Sequence, residues 1–152
     1  MNRTDSLERY VKMTLIVEDD LSLRPLWENF FNLQLTDIGY EWAVSCEEAL
    51  KMIQLRNKNK DPYFLILSDI FLAGSKTGID LMTSGAVADS YAYKVLVSAT
   101  ERSEIITKFG HMISEVIVIS KPLDFKQIEI IFKKILNINY KTPCKEFVSE
   151  AT

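Results

Sequence analysis

YFLILSD, residues 63–69, is an unbroken apolar run that ends on a carboxylate. A strand with one buried face alternates apolar and polar side chains. A continuous run belongs to a strand covered on both faces, as in a parallel sheet flanked by helices. Three other runs share the design. MTLIVE (13–18) leads into Asp19 and Asp20, YKVLVS (93–98) ends on Ser98, and EVIVIS (115–120) leads into Lys121-Pro122. Each polar group falls at the C-terminal end of its run, the edge of a parallel α/β sheet where ligand sites form.

Helical patterns separate the runs. LSLRPLWENFFNLQL (21–35) carries Leu23, Leu26, Trp27, Phe30, Phe31 and Leu33 at helical spacing, with Ser22 as the expected N-cap and Pro25 in the first turn, where a missing N–H costs little. YEWAV (40–44) is a short second strand, and Ser45 with Glu48 three residues on fits a capping box opening the helix EEALKMIQLR. A helix is expected near 79–89, another in ERSEIITKF ending at Gly110, and a last one in DFKQIEIIFKKILN (124–137). Five βα units in succession predict one α/β domain with a doubly wound parallel sheet and right-handed crossovers.

The composition sets limits on function. The chain has 152 residues, is 47% hydrophobic and carries a net charge of −3. One domain with a real core follows, and a basic nucleic-acid-binding surface does not. No stretch reaches the roughly 18 apolar residues of a membrane span, and MNRTDSLERYVK lacks the apolar centre of a signal peptide, so a cytoplasmic protein is expected. Cys46 and Cys144 lie far apart without metal-ligand spacing and read as reduced thiols. His111 reads as a surface residue, Asp20 as a loop acid, and Trp27 and Trp42 as packing residues. The expected boundaries are a flexible arm at 1–12, the folded domain at 13–137 and a short tail at 138–152, too short for an effector domain. Whether Met1 or Met13 is the natural start stays open.

In a flavodoxin-like strand order, 2-1-3-4-5, the first and third strands are neighbours at the switch point. Glu18, Asp19 and Asp69 then face one another. Carboxylates this close do not all stay ionised unaided, and a hard divalent cation relieves the repulsion; Mg²⁺ fits an all-oxygen donor set. Lys121 adds a positive charge and Ser98 a hydroxyl. Together these groups suit a transferring phosphoryl group, whose chemistry needs positioning and charge neutralisation, with an Asp carboxylate able to act as the nucleophile.

LIVEDD with Glu18 and Asp19, the segment LSD ending at Asp69, VLVSA with Ser98, and Lys121-Pro122 make the chain resemble the response-regulator receiver domain of two-component signalling, the CheY-like family. The resemblance spans residues 13–137 and implies the flavodoxin-like (βα)5 fold. It implies that Asp69 is the phosphoacceptor, and that Asp19, Asp69 and the Phe71 carbonyl ligate Mg²⁺ with Glu18 assisting through water. Ser98 and the Ala99 N–H would bind the phosphoryl group, Lys121 would pair with it, and the Lys121-Pro122 bond would be cis. The implied donor is a sensor histidine kinase or a histidine phosphotransfer protein. Output would pass to a further protein by direct interaction, and a homodimer through the fourth helix, fifth strand and last helix is compatible with the family. The chain would be a stand-alone switch and not an enzyme, catalysing only its own phosphorylation and slow dephosphorylation.

The sequence also departs from the family. Ala73 stands where a proline is usual, Gly78 arrives one residue late, and Val118 replaces the switch aromatic three residues before Lys121. Phe71 and Thr100 occupy positions that tune hydrolysis, and an apolar Phe71 predicts slow loss of phosphate. These departures keep a non-switching pseudo-receiver scaffold as the alternative. An Asp-nucleophile phosphatase is disfavoured because Phe71 stands where its second Asp would be. A flavin-binding flavodoxin is disfavoured because an acidic segment replaces the phosphate-cradling loop.

Overall fold

In the computed structural model, which describes residues 12–110 and 115–141, five strands form a single sheet. They are β1 (Lys12–Val17), β2 (Ile38–Ala43), β3 (Leu65–Asp69), β4 (Tyr93–Ser98) and β5 (Ile117–Ser120). Every neighbouring pair is parallel and the order is β2-β1-β3-β4-β5. This is the flavodoxin-like arrangement expected from the apolar runs. Helices α1 (Arg24–Gln34), α2 (Cys46–Lys58), α3 (Gly78–Thr83), α4 (Gly85–Ala88) and α5 (Arg102–Phe109) fill the crossovers.

The continuous apolar runs are explained by burial on both faces. Met13, Leu15 and Val17 of β1, Ile66 of β3 and Leu96 of β4 join residues of α2 to α5 in one core cluster. The alternate positions, Ile16, Leu65, Leu67, Val95 and Val97, are buried as well. Tyr40 lies beside Thr14 in the β1–β2 register, and its ring meets Phe31 of α1 at 5.5 Å, which puts α1 on that second face.

Several local expectations need correction. Leu21–Leu23 form a 3-10 turn, capped by the Asp20 carboxylate, which accepts from the Ser22 N–H; Ser22 is therefore not the cap. Only Trp27, Phe30 and Phe31 of α1 are buried, while Leu26 and Leu33 are exposed. The helix expected near 79–89 is two pieces. Ser84 turns extended (φ −66°, ψ 149°), and its hydroxyl donates to the Leu81 carbonyl at 2.7 Å, a side-chain bond that competes with helix continuation. The box at α2 is also shifted: Ser45 accepts from the Glu48 N–H, but the Glu48 carboxylate accepts from the Val44 N–H at 2.8 Å, not from that of Ser45.

Residues up to Pro122 form one compact unit, and a second begins at Leu123 with α6 (Phe125–Lys141). Asp124 caps this helix by accepting from the Lys126 and Gln127 N–H groups, and Ile128, Phe132 and Ile135 form a buried stripe along it. It runs past residue 137 because Ile138–Lys141 hold no glycine or proline to break it. Cys46 is a buried free thiol. Residues 1–11, His111, Cys144 and the tail beyond Lys141 lie outside the described residues. Among the described residues, no helix is long and apolar enough to cross a membrane.

Candidate functional site

The sheet ladder continues one residue past three of its strands. The Glu18 N–H donates to Ala43 O (2.9 Å), the Ile70 N–H to Val97 O (3.1 Å) and the Lys121 N–H to Ser98 O (2.8 Å). Backbone pairing thus carries Glu18, Asp69 and Lys121 to one edge. There, Glu18, Asp19 and Asp69 each offer a carboxylate oxygen within 4.8 Å of the others. Lys121 Nζ lies 3.1 Å from Asp69 Oδ2 and 3.9 Å from Glu18 Oε1. The four charged residues singled out from the sequence are therefore brought together. The Lys121-Pro122 bond is cis.

Burial sets the electrostatics. Glu18 is only 2% exposed and Asp69 8%, whereas Asp19 is exposed. Desolvation, opposed by the Asp20 N–H bond to its carboxylate and by Lys121 and reinforced by Asp69 and Asp19, pushes the Glu18 carboxyl up to about 7. One lysine does not balance three acids. The donor set, all carboxylate oxygens with excess negative charge, fits a hard divalent cation such as Mg²⁺. Asp20 stays outside this set as an exposed cap, consistent with a loop acid.

Ser98 sits at the end of β4, fully buried, and its hydroxyl accepts from the Thr100 N–H at 2.8 Å. It shares the edge, but its oxygen is engaged by its own loop. Ala99 follows, exposed, and the Phe71 side chain is 66% exposed beyond Asp69. Val118 is partly buried against the main core, so that position packs as an ordinary aliphatic.

Three supports for the site were not read from the sequence. The Trp42 indole N–H donates to the Glu18 carbonyl at 3.1 Å, and Arg24 of α1 lies over the Trp42 ring at 5.4 Å. Trp42 thus anchors the end of β1 as well as packing. The Ser68 hydroxyl donates to the Asp69 carbonyl at 2.8 Å. Gly78 comes so close behind Asp69 that a Cβ there would fall 2.1 Å from the Asp69 carbonyl oxygen. A glycine eight or nine residues after a strand-end acid is a signal that could have suggested this contact.

No family model matches the chain, and no curated protein matches it. Solved structures do. A CheY-like response regulator receiver domain protein from Methanospirillum hungatei JF-1 is 21% identical, with a TM-score of 0.67 over 86% of this chain and 97% of that one. A signal receiver domain of an HD domain-containing protein from Pseudomonas fluorescens Pf-5 gives 16% and 0.69 over 88% and 91%. A two-component response regulator from Clostridium difficile gives 20% and 0.66 over 83% and 96%. The fold is that of CheY-like receiver domains.

Proposed function

We propose that this chain is a response-regulator receiver that takes a phosphoryl group on Asp69 in a Mg²⁺-dependent phosphorelay. The observation that carries the reading is the meeting of Lys121 Nζ with Asp69 Oδ2 at 3.1 Å beside the Glu18 and Asp19 carboxylates. Asp69 is the nucleophile: its oxygen bonds to the phosphorus of a phosphohistidine as the P–N bond breaks, and the departing imidazole keeps the electron pair and takes up a proton. Lys121 leaves its ion pair with the free carboxylate to hold a phosphoryl oxygen. Ser98 turns its hydroxyl from the Thr100 N–H toward the same group, aided by the Ala99 N–H. Glu18, Asp19, Asp69 and the Phe71 carbonyl would hold Mg²⁺, which when bound supplies positive charge to the phosphoryl oxygens.

The donor is a sensor histidine kinase or a histidine phosphotransfer protein, both consistent with a cytoplasmic site of action. The phosphorylated chain acts by binding another protein. It turns over no external substrate beyond its own phosphodonor, so its catalysis is limited to gaining and losing its own phosphate. The test is transfer of a labelled phosphoryl group from a phosphohistidine donor. Transfer that requires Mg²⁺ and is lost in Asp69→Asn supports the reading; transfer undiminished in Asp69→Asn overturns it. The second reading, a non-switching scaffold, draws on Val118 and on Ser98 being engaged by Thr100. It predicts no transfer at all.

A further inference from the structure

Residues 71–77 join the phosphoacceptor strand to α3, and they hold Ala73 and the extra residue that makes Gly78 late. Their far end is fixed locally. The Gly78 N–H donates to Ile70 O at 2.7 Å, and Thr77 and Asp80 form a reciprocal capping box. The middle is held from outside, by the β2–α2 corner. Ser45 and Ala73 pair as a single parallel bridge. The Ser75 hydroxyl donates to Glu47 Oε2 at 3.4 Å. Gly74 adopts φ +97°, and a Cβ at that position would lie 3.3 Å from Glu47 Oε1. The backbone there has taken a conformation that L side chains rarely adopt, and it lies directly against this carboxylate.

The side-chain hydrogen bond of Glu47 goes to the loop and not to its own helix. Ser45 and Glu48 supply the side-chain bonds at the α2 N-terminus. Glu47 is exposed in the first turn, and its carboxylate is directed to the loop. From these contacts we infer that Glu47 is a positioning residue: across the β2–α2 corner it fixes the loop after Asp69, and so holds the Phe71 carbonyl where a cation bound to Asp69 would take it. The metal part of this inference rests on the receiver reading.

The experiment uses the full chain with Glu47→Ala and Glu47→Gln. Amide hydrogen exchange at residues 72–77 is followed in the metal-free protein, and Mg²⁺ binding is followed by calorimetry. Removing a hydrogen-bond acceptor is expected to raise loop exchange and weaken Mg²⁺ binding, each by about twofold in Glu47→Ala, the low end for one net hydrogen bond because this one is long and exposed. Glu47→Gln keeps an acceptor for Ser75 and should stay near wild type, which a general loss of stability would not reproduce. Unchanged loop exchange in Glu47→Ala overturns the inference, and so does faster exchange with unchanged Mg²⁺ binding. A wild type that binds no Mg²⁺ overturns the receiver reading and the metal role together. A wild type that binds it, with an alanine variant that binds equally, overturns the positioning role alone.

Discussion

Glu18 shows how burial decides the chemistry of single residues here. Its carboxyl is raised from the ordinary 4.5 to about 7, chiefly by desolvation. A raised carboxyl pKa means the folded state binds the proton more tightly than the unfolded chain does. The metal-free protein therefore loses stability as pH rises from about 4.5 to about 7, and the loss levels off above that. Urea denaturation in EDTA should find the wild type less stable at high than at low pH by on the order of 3 kcal/mol more than Glu18→Gln, given about 1.4 kcal/mol per unit. Parallel pH profiles for the two proteins would contradict the assignment. Phe71 makes a second prediction. Its exposed apolar side chain offers no hydrogen bond to an attacking water, so the phosphorylated protein should persist for minutes to hours, and Phe71→Asn should shorten that time. Decay of the wild type within seconds, followed by acid-quenched phosphoprotein assay, argues against this role.

At the scale of elements, the site is built by strand ends and by what lies behind them. Asp69 terminates β3, and the loop after it returns tightly enough for the Gly78 N–H to bond Ile70 O at 2.7 Å. Gly78→Ala would set a methyl group against the Asp69 carbonyl and the Ser68 hydroxyl. The nearest atom is backbone, and the buried Ser68 hydroxyl is bonded to it, so neither gives way cheaply. The substitution should cost about 2 kcal/mol or more in chemical denaturation and should impair phosphorylation as well. A fully stable Gly78→Ala protein with normal labelling would show that the approach is looser than the geometry states. The strand ends were legible in the sequence because each apolar run stops at a polar residue, and the parallel register follows from helices alternating with those runs. The breaks were less legible. Ser84 splits the expected helix through a side-chain bond to Leu81, and Asp20 displaces Ser22 as a cap, both decided by local geometry that propensity does not carry.

Over the whole molecule, the order β2-β1-β3-β4-β5 makes β1 and β3 neighbours and places β4 and β5 beside them. That topology converts three distant strand ends, Glu18-Asp19, Asp69 and Lys121, into one charged cluster, which is why the acids and the lysine could be picked from sequence. Trp42 could not be assigned its anchoring role that way, because the bond from its indole to the Glu18 carbonyl depends on the β1–β2 register and on a rotamer. Glu47 was hidden for a similar reason: its partner loop lies more than twenty residues away in the chain and meets it only across the β2–α2 corner. The central claim is that this assembly phosphorylates itself at Asp69. Intact mass after incubation with Mg²⁺ and acetyl phosphate, with Asp69→Asn alongside, tests it most directly. The account predicts a gain of one phosphoryl group in the wild type and none in the variant or in EDTA. No gain in the wild type, under conditions that label a known receiver, would contradict it and favour the scaffold.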